Sequence, residues 1–146
     1  MTKQFYTEEV MASIKQQIKD QNISVRKQYL ASEYYERKME EYRKQEEIVI
    51  FGTGNYGRDL YKMLKMENIC SAKCFCDNGI ARQGKKMAEL DILSPQEAVE
   101  RFPNALYIIT PRGYGDEILR QLVGMGVDAM HISIFVLELA ELTEKL

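Results

Sequence analysis

The run Ile48-Val49-Ile50-Phe51 passes directly into Gly52-Thr53-Gly54-Asn55-Tyr56-Gly57, and no other junction constrains the fold as tightly. Four consecutive apolar residues suit a strand covered on both faces, as in a parallel sheet. Alone, the GxGxxG spacing is a weak signal. Here it follows a strand and opens an amphipathic helix that begins near Arg58, which is the context that makes it mechanistic. Gly52 is expected to make the tight turn out of the strand, and Gly57 to let helix and strand pack closely. Gly54, without a side chain, lets a phosphate approach the backbone. The N–H groups of Asn55, Tyr56 and Gly57 are then expected to face an anion at the positive end of the helix.

Downstream, strands and helices alternate at the spacing of βαβ units, which predicts a parallel sheet with right-handed crossovers. Residues 72–76 read as a second strand, stopped by the turn signal Asp77-Asn78-Gly79. A polar loop leads to a short strand expected around 87–92. Ser94-Pro95-Gln96-Glu97 forms a capping box, with proline at the first helical position, and starts a helix that Pro103 stops. Residues 105–110 read as a strand and 116–123 as a helix ended by Gly124-Met125-Gly126. A last strand is expected over 129–133 and a closing helix over 135–146. The fold class is therefore α/β, a Rossmann-like three-layer parallel sheet over 47–146, preceded by a long helical segment over 1–46.

That first segment obeys different rules. Residues 1–51 contain neither glycine nor proline and are rich in good helix formers. Thr7 fits an N-cap, with Glu8 and Glu9 placed against the helix dipole. Val10, Met11, Ile14 and Ile18, then Val25, Tyr29, Tyr35, Met39 and Tyr42, recur at steps near three and four. The stretch 20–24 is the weak point, so one long helix and a helical hairpin both fit. A continuous helix of ~40 residues would run about 60 Å, more than a small domain covers. A weak coiled coil in a homodimer is the favoured expectation, although Ser32 and Glu46 interrupt its stripe.

In a parallel sheet the C-terminal strand ends share one edge, where ligands bind. That edge gathers the glycine loop, Asp77-Asn78 and Thr110-Pro111-Arg112. Asp77 has the position of an acid that bonds ribose hydroxyls; a turn aspartate bonding its own backbone is the alternative. As a ribose acid it would repel a 2′-phosphate, which favours NAD or a nucleoside diphosphate over NADP. Arg112 suits either a bidentate diphosphate contact or a solvated loop position. Tyr56 either walls the pocket or packs on its helix.

Composition removes other classes. A formal net charge of -2 gives no electrostatic reason to expect nucleic acid or an anionic membrane. No apolar run approaches the roughly 20 residues of a membrane span, and the N-terminus lacks signal-peptide character, so the cytoplasm is the expected address. Cys70, Cys74 and Cys76 leave an odd count with no CxxC pair, and the only histidine, His131, is distant. Packing in a buried strand fits Cys74 and Cys76 better than a metal site. His131 reads as a packed core or edge residue. No paired carboxylates or nucleophile elbow stand out, and no catalytic residue is predicted.

The stretches 48–58, Phe75-Cys76-Asp77-Asn78, 92–97 and Tyr107-Ile108-Ile109-Thr110 resemble the small Rossmann-like domains attached to bacterial surface-polysaccharide enzymes. These include the N-terminal domains of nucleotide-sugar epimerase/dehydratases and amino-sugar acetyltransferases, and the C-terminal domain of deoxysugar C-methyltransferases. The resemblance covers roughly 48–133. It implies a nucleotide or nucleotide-sugar ligand and a link to glycan assembly, with a glycan-biosynthesis enzyme as partner. The expected function is a non-catalytic or accessory module binding NAD or a nucleotide-sugar. The alternatives are a small NAD-dependent oxidoreductase or epimerase, a methyltransferase using S-adenosylmethionine, and a structural dimer that keeps the loop without a ligand.

Overall fold

The computed structural model describes residues 8–136, with 17–28 as helix backbone only. The described residues divide into two compact units, 8–35 and 36–136. Helix α1 spans Glu8–Arg43 and is helical through 20–24. Its residues up to 35 belong to the first unit, where the side chains of Met11 and Ile14 are exposed. Thr7 and most of the expected closing helix lie outside the described residues.

The second unit takes in the last two turns of α1 and then alternates strand and helix. Its elements are β1 (Ile48–Phe51), α2 (Asn55–Met66), β2 (Ala72–Cys76), β3 (Lys86–Met87), β4 (Leu90–Leu93), α3 (Pro95–Arg101), β5 (Leu106–Ile109), α4 (Gly115–Gly124) and β6 (Ile132–Ile134). They form a mostly parallel six-stranded sheet in the order β3-β4-β2-β1-β5-β6, in which β3 alone runs antiparallel to its neighbour. This is a Rossmann-like arrangement. From β1 the chain builds one way to β2 and β4, then returns to the other side for β5 and β6. The crevice between the C-terminal ends of β1 and β5 is therefore the switch point of the sheet.

Strand alternation sorts the core into two layers. Val49, Phe51, Cys74, Cys76, Tyr107 and Ile109 face α3 and α4, where Ala98, Ile118 and Leu122 are buried with them. Ile48, Ile50, Phe75 and Ile108 face the other way, and Tyr61 of α2 meets Phe75 edge-on at 5.6 Å. On that side the end of α1 is tied to β6. The buried Tyr42 hydroxyl lies 2.9 Å from Ser133 Oγ, which also accepts a bond of 3.1 Å from Lys38 Nζ. The Tyr42 ring packs against Phe135 at 6.1 Å.

Several local expectations are corrected. The segment expected as one strand over 87–92 is a hairpin, β3 and β4 joined at Ala88 and Glu89, both with positive φ (47° and 78°). Such two-residue turns normally carry Asn or Gly, so nothing in Ala-Glu announces one. The strand expected over 129–133 begins only at Ile132. Ahead of it a 3-10 turn, Ala129–His131, is capped by Asp128, whose side chain accepts from Met130 N–H. His131 is consequently exposed at the end of that turn, not packed in a strand. Phe135 does not start a helix; its N–H donates to the Ile109 carbonyl and extends the sheet contact.

Candidate functional site

The glycine loop does what its spacing demands, but its three glycines act for different reasons. Gly52 has φ of 115°, where a side chain is strained, and a Cβ there would lie 2.5 Å from Thr110 Oγ1. A Cβ on Gly57 would overlap the Gly52 carbonyl oxygen. These two glycines are required by the turn and by close packing. Gly54 is different: its φ of -79° suits any residue, and nothing stands within 4 Å of a Cβ built on it. Neither backbone nor neighbours call for glycine there.

Gly54 is also the N-cap of α2, and no side chain caps this helix. The first bond of the helix runs from Arg58 N–H to the Gly54 carbonyl, so the N–H groups of Asn55, Tyr56 and Gly57 precede the internal ladder. α2 has no acidic residue in its first turn. The Asn55 side chain turns away to accept from Arg58 at 2.8 Å.

Over this helix end lies a cavity of about 230 Å³, lined by the loop from Gly52 to Gly57 with Asp77, Arg82, Thr110 and Pro111. A second cavity of about 230 Å³ shares Gly52, Asp77 and Pro111 with it and extends toward α4. Asn78, Tyr114, Glu117, Ile118 and Gln121 complete its walls. Asp77 borders both. Its Oδ2 accepts from Thr53 N–H (3.1 Å) and Thr53 Oγ1 (2.6 Å), and its Oδ1 accepts from Gly79 N–H (2.7 Å). The turn contact and the glycine-loop contact therefore coexist in one carboxylate. Asn78 forms a reciprocal amide pair with Gln121, at 2.9 and 2.8 Å, joining the loop after β2 to α4.

Thr110 donates its hydroxyl to the Phe51 carbonyl at 2.8 Å and is buried, so it braces the crevice. Pro111 walls both cavities and the half-buried Tyr56 walls the first. Arg112 is exposed and lines neither. The cation at the cavity is Arg82, which sequence reading missed. It donates to Thr53 Oγ1 at 2.9 Å and stands 3.8 Å from Asp77 Oδ2. The available signal was its place in the polar loop just after Asp77-Asn78-Gly79.

Away from the cavities, Cys74, Cys76 and Tyr107 are buried in the core, while Cys70 and His131 are exposed. Burial pushes the Cys74 thiol up to about 12 and raises Cys76 well above its ordinary range. Tyr107 is raised as well, chiefly by burial, and donates its hydroxyl to the Phe102 carbonyl at 2.9 Å. Among the described residues no group of His, Cys, Asp and Glu is placed to hold a metal ion, and no helix is long and apolar enough to cross a membrane.

A family model, C2185-like, N-terminal, matches residues 44–133, which is well over half of the chain. The chain belongs to this C2185-like N-terminal family. No curated protein sequence matches it. Among solved structures, the Rex-family repressor RSP is similar with a TM-score of 0.53 and 16% identity, covering 74% of this chain and 61% of the repressor. RSP in complex with β-NADH is similar with a TM-score of 0.50 and 16% identity, over 68% of this chain and 57% of that one. UDP-D-quinovosamine 4-dehydrogenase from Vibrio fischeri aligns at a TM-score of 0.48 and 15% identity, over 62% and 75% of the two chains. At 16% identity the likeness to the repressor is one of fold. The C2185-like chain spans about three-fifths of the repressor it matches.

Proposed function

We propose that the C2185-like domain binds a nucleotide-containing ligand, NAD or a nucleotide-sugar, with its diphosphate at the start of α2. The observation that carries this reading is Gly54, a glycine that neither fold nor packing requires, opening onto a cavity at an uncapped helix end. Backbone N–H groups and the helix dipole together favour an anion at such an end. The loop from Gly52 to Gly57 would cradle the diphosphate, with Thr53 holding the loop to Asp77 and Tyr56 closing one side. Oδ1 of Asp77, which accepts one protein bond, has a lone pair left for a ribose hydroxyl. Asn78, Thr110 and Pro111 shape the adjoining walls, and Arg112 lies outside them. The RSP complex with β-NADH supports NAD as the first ligand to test.

On this reading the chain is an accessory module without its own chemistry, and the segment 1–46 brings two copies together. A role beside a glycan-biosynthesis enzyme in the cytoplasm rests on the resemblance to polysaccharide-enzyme domains. The test is a thermal-shift panel of NAD, NADP, S-adenosylmethionine and uridine, guanosine and thymidine diphospho-sugars. A ligand at 100 times its Kd stabilises the fold by about 2.7 kcal/mol. NAD or a diphospho-sugar should respond and Gly54→Val should remove the response while the protein stays folded. Silence across the panel would leave a ligand-free scaffold; binding that survives Gly54→Val would move the site elsewhere. A monomeric mass of the full chain in solution would refute the pairing.

A further inference from the structure

A diphosphate at the start of α2 faces an electrostatic problem that the glycine loop does not solve. The positive end of a helix is equivalent to roughly +0.5 elementary charge. The Asp77 carboxylate stands at the same place, bonded to Thr53 N–H and Oγ1 within the loop itself. Helix end and carboxylate together sum to about half a negative charge, so the pair alone repels an anion. Glu117, on the second cavity, adds charge of the same sign.

Arg82 supplies the missing cation. Among the residues that line the two cavities it alone is basic. Its guanidinium carries five N–H donors, and its one short contact here is the 2.9 Å bond to Thr53 Oγ1. The ion pair with Asp77 is long, at 3.8 Å, and the side chain is 57% exposed. Asp77 does not depend on it, because three other donors hold both carboxylate oxygens. Arg82 can therefore turn toward an incoming anion without leaving a buried group unpaired. The loop that carries it is anchored on either side, by Gly79 N–H to Asp77 Oδ1 and by Gln83 Nε2 to the Asp77 carbonyl at 2.9 Å.

We infer that Arg82 is the charge-balancing residue of this site, exchanging its Thr53 contact for the oxygens of a diphosphate and so offsetting Asp77. The inference rests on the proposed nucleotide site and adds the residue that makes it tolerant of an anion. Its probe is inorganic pyrophosphate, titrated calorimetrically into the full chain, beside the NAD titration. Arg82→Ala should weaken pyrophosphate at least tenfold while the melting temperature of the free protein stays within a degree or two. Arg82→Lys should fall between, since a point charge replaces a planar fork. Asp77→Asn combined with Arg82→Ala should recover part of the loss, because it removes the charge that Arg82 offsets. Pyrophosphate binding within twofold of the parent in Arg82→Ala overturns the inference, and so does a parent that ignores pyrophosphate. Retained NAD binding that still depends on Gly54 would then leave the nucleotide reading standing, whereas loss of both ligands in the parent removes it too.

Discussion

Two strand–loop–helix units leave the central sheet side by side, β1 into α2 and β5 into α4, and they treat the same physical demand differently. Both helices begin without a side-chain cap hydrogen bond. α4 carries Asp116 and Glu117 in its first turn, so its own carboxylates complement the dipole. α2 has no acid in its first turn, and its cap residue is a glycine facing open space. A third helix provides a reference: α3 is capped by Ser94, whose Oγ accepts from Glu97 N–H at 3.1 Å. Three helix starts are thus met by a hydroxyl, by carboxylates and by no side chain at all. α2 opens onto its cavity through a glycine, whereas α4 meets the second cavity with Tyr114 and the carboxylate Glu117, which is why the anion is assigned to α2 and not to α4.

The comparison can be broken most violently at Gly57. Gly57→Ala places a methyl group against the Gly52 carbonyl, and no flexible side chain is there to yield. A loss of about 3 kcal/mol or more is expected in urea unfolding, at the upper end of overpacking costs. A loss under 1 kcal/mol would mean that loop and helix are not locked together as described. Next comes the reference helix: Ser94→Ala should cost about 1 kcal/mol, and ligand affinity should stay unchanged because α3 does not touch either cavity.

Removing both acids from α4, as Asp116→Asn with Glu117→Gln, should cost between about 0.3 and 1 kcal/mol, less at high salt. If the double change is neutral at low salt, α4 is not compensated by its own charges and the contrast with α2 weakens. The smallest stability change carries the sharpest functional one. Gly54→Asp gives α2 the cap it lacks and should gain a few tenths of a kcal/mol, because aspartate caps only slightly better than glycine. The same variant should lose nucleotide binding, since its carboxylate would occupy the phosphate position. A variant that is more stable and still binds would show that α2 is not the anion site.

Much of this architecture is legible before any coordinates, for local reasons. The order of strands and helices follows from apolar runs and from breakers placed within a few residues of them. The strand-to-loop passage at Phe51-Gly52 and the serine-proline start of α3 depend on interactions spanning one to four residues. The hairpin at Ala88-Glu89 was not legible, because neither residue favours positive φ and tertiary packing must impose it. Nor was the position of His131, where a capped 3-10 turn replaced the first half of a strand.

The site divides along the same line. That Gly52, Gly54 and Gly57 form a turn, a gap and a close contact follows from sequence alone, since each role is set by the absence of a side chain at a fixed distance from a strand end. Which cation joins them is a matter of how a polar loop folds back across the sheet edge. Arg112 and Arg82 are equally basic on paper, and only the path of the chain puts Arg82 on Thr53 and leaves Arg112 outside. Hydrogen bonds such as Asn78 with Gln121 join residues more than 40 positions apart, and no local rule reaches that far. Local sterics and periodicity act within a turn or two of chain, whereas charge pairing across a cleft exists only once separate strands have been laid side by side.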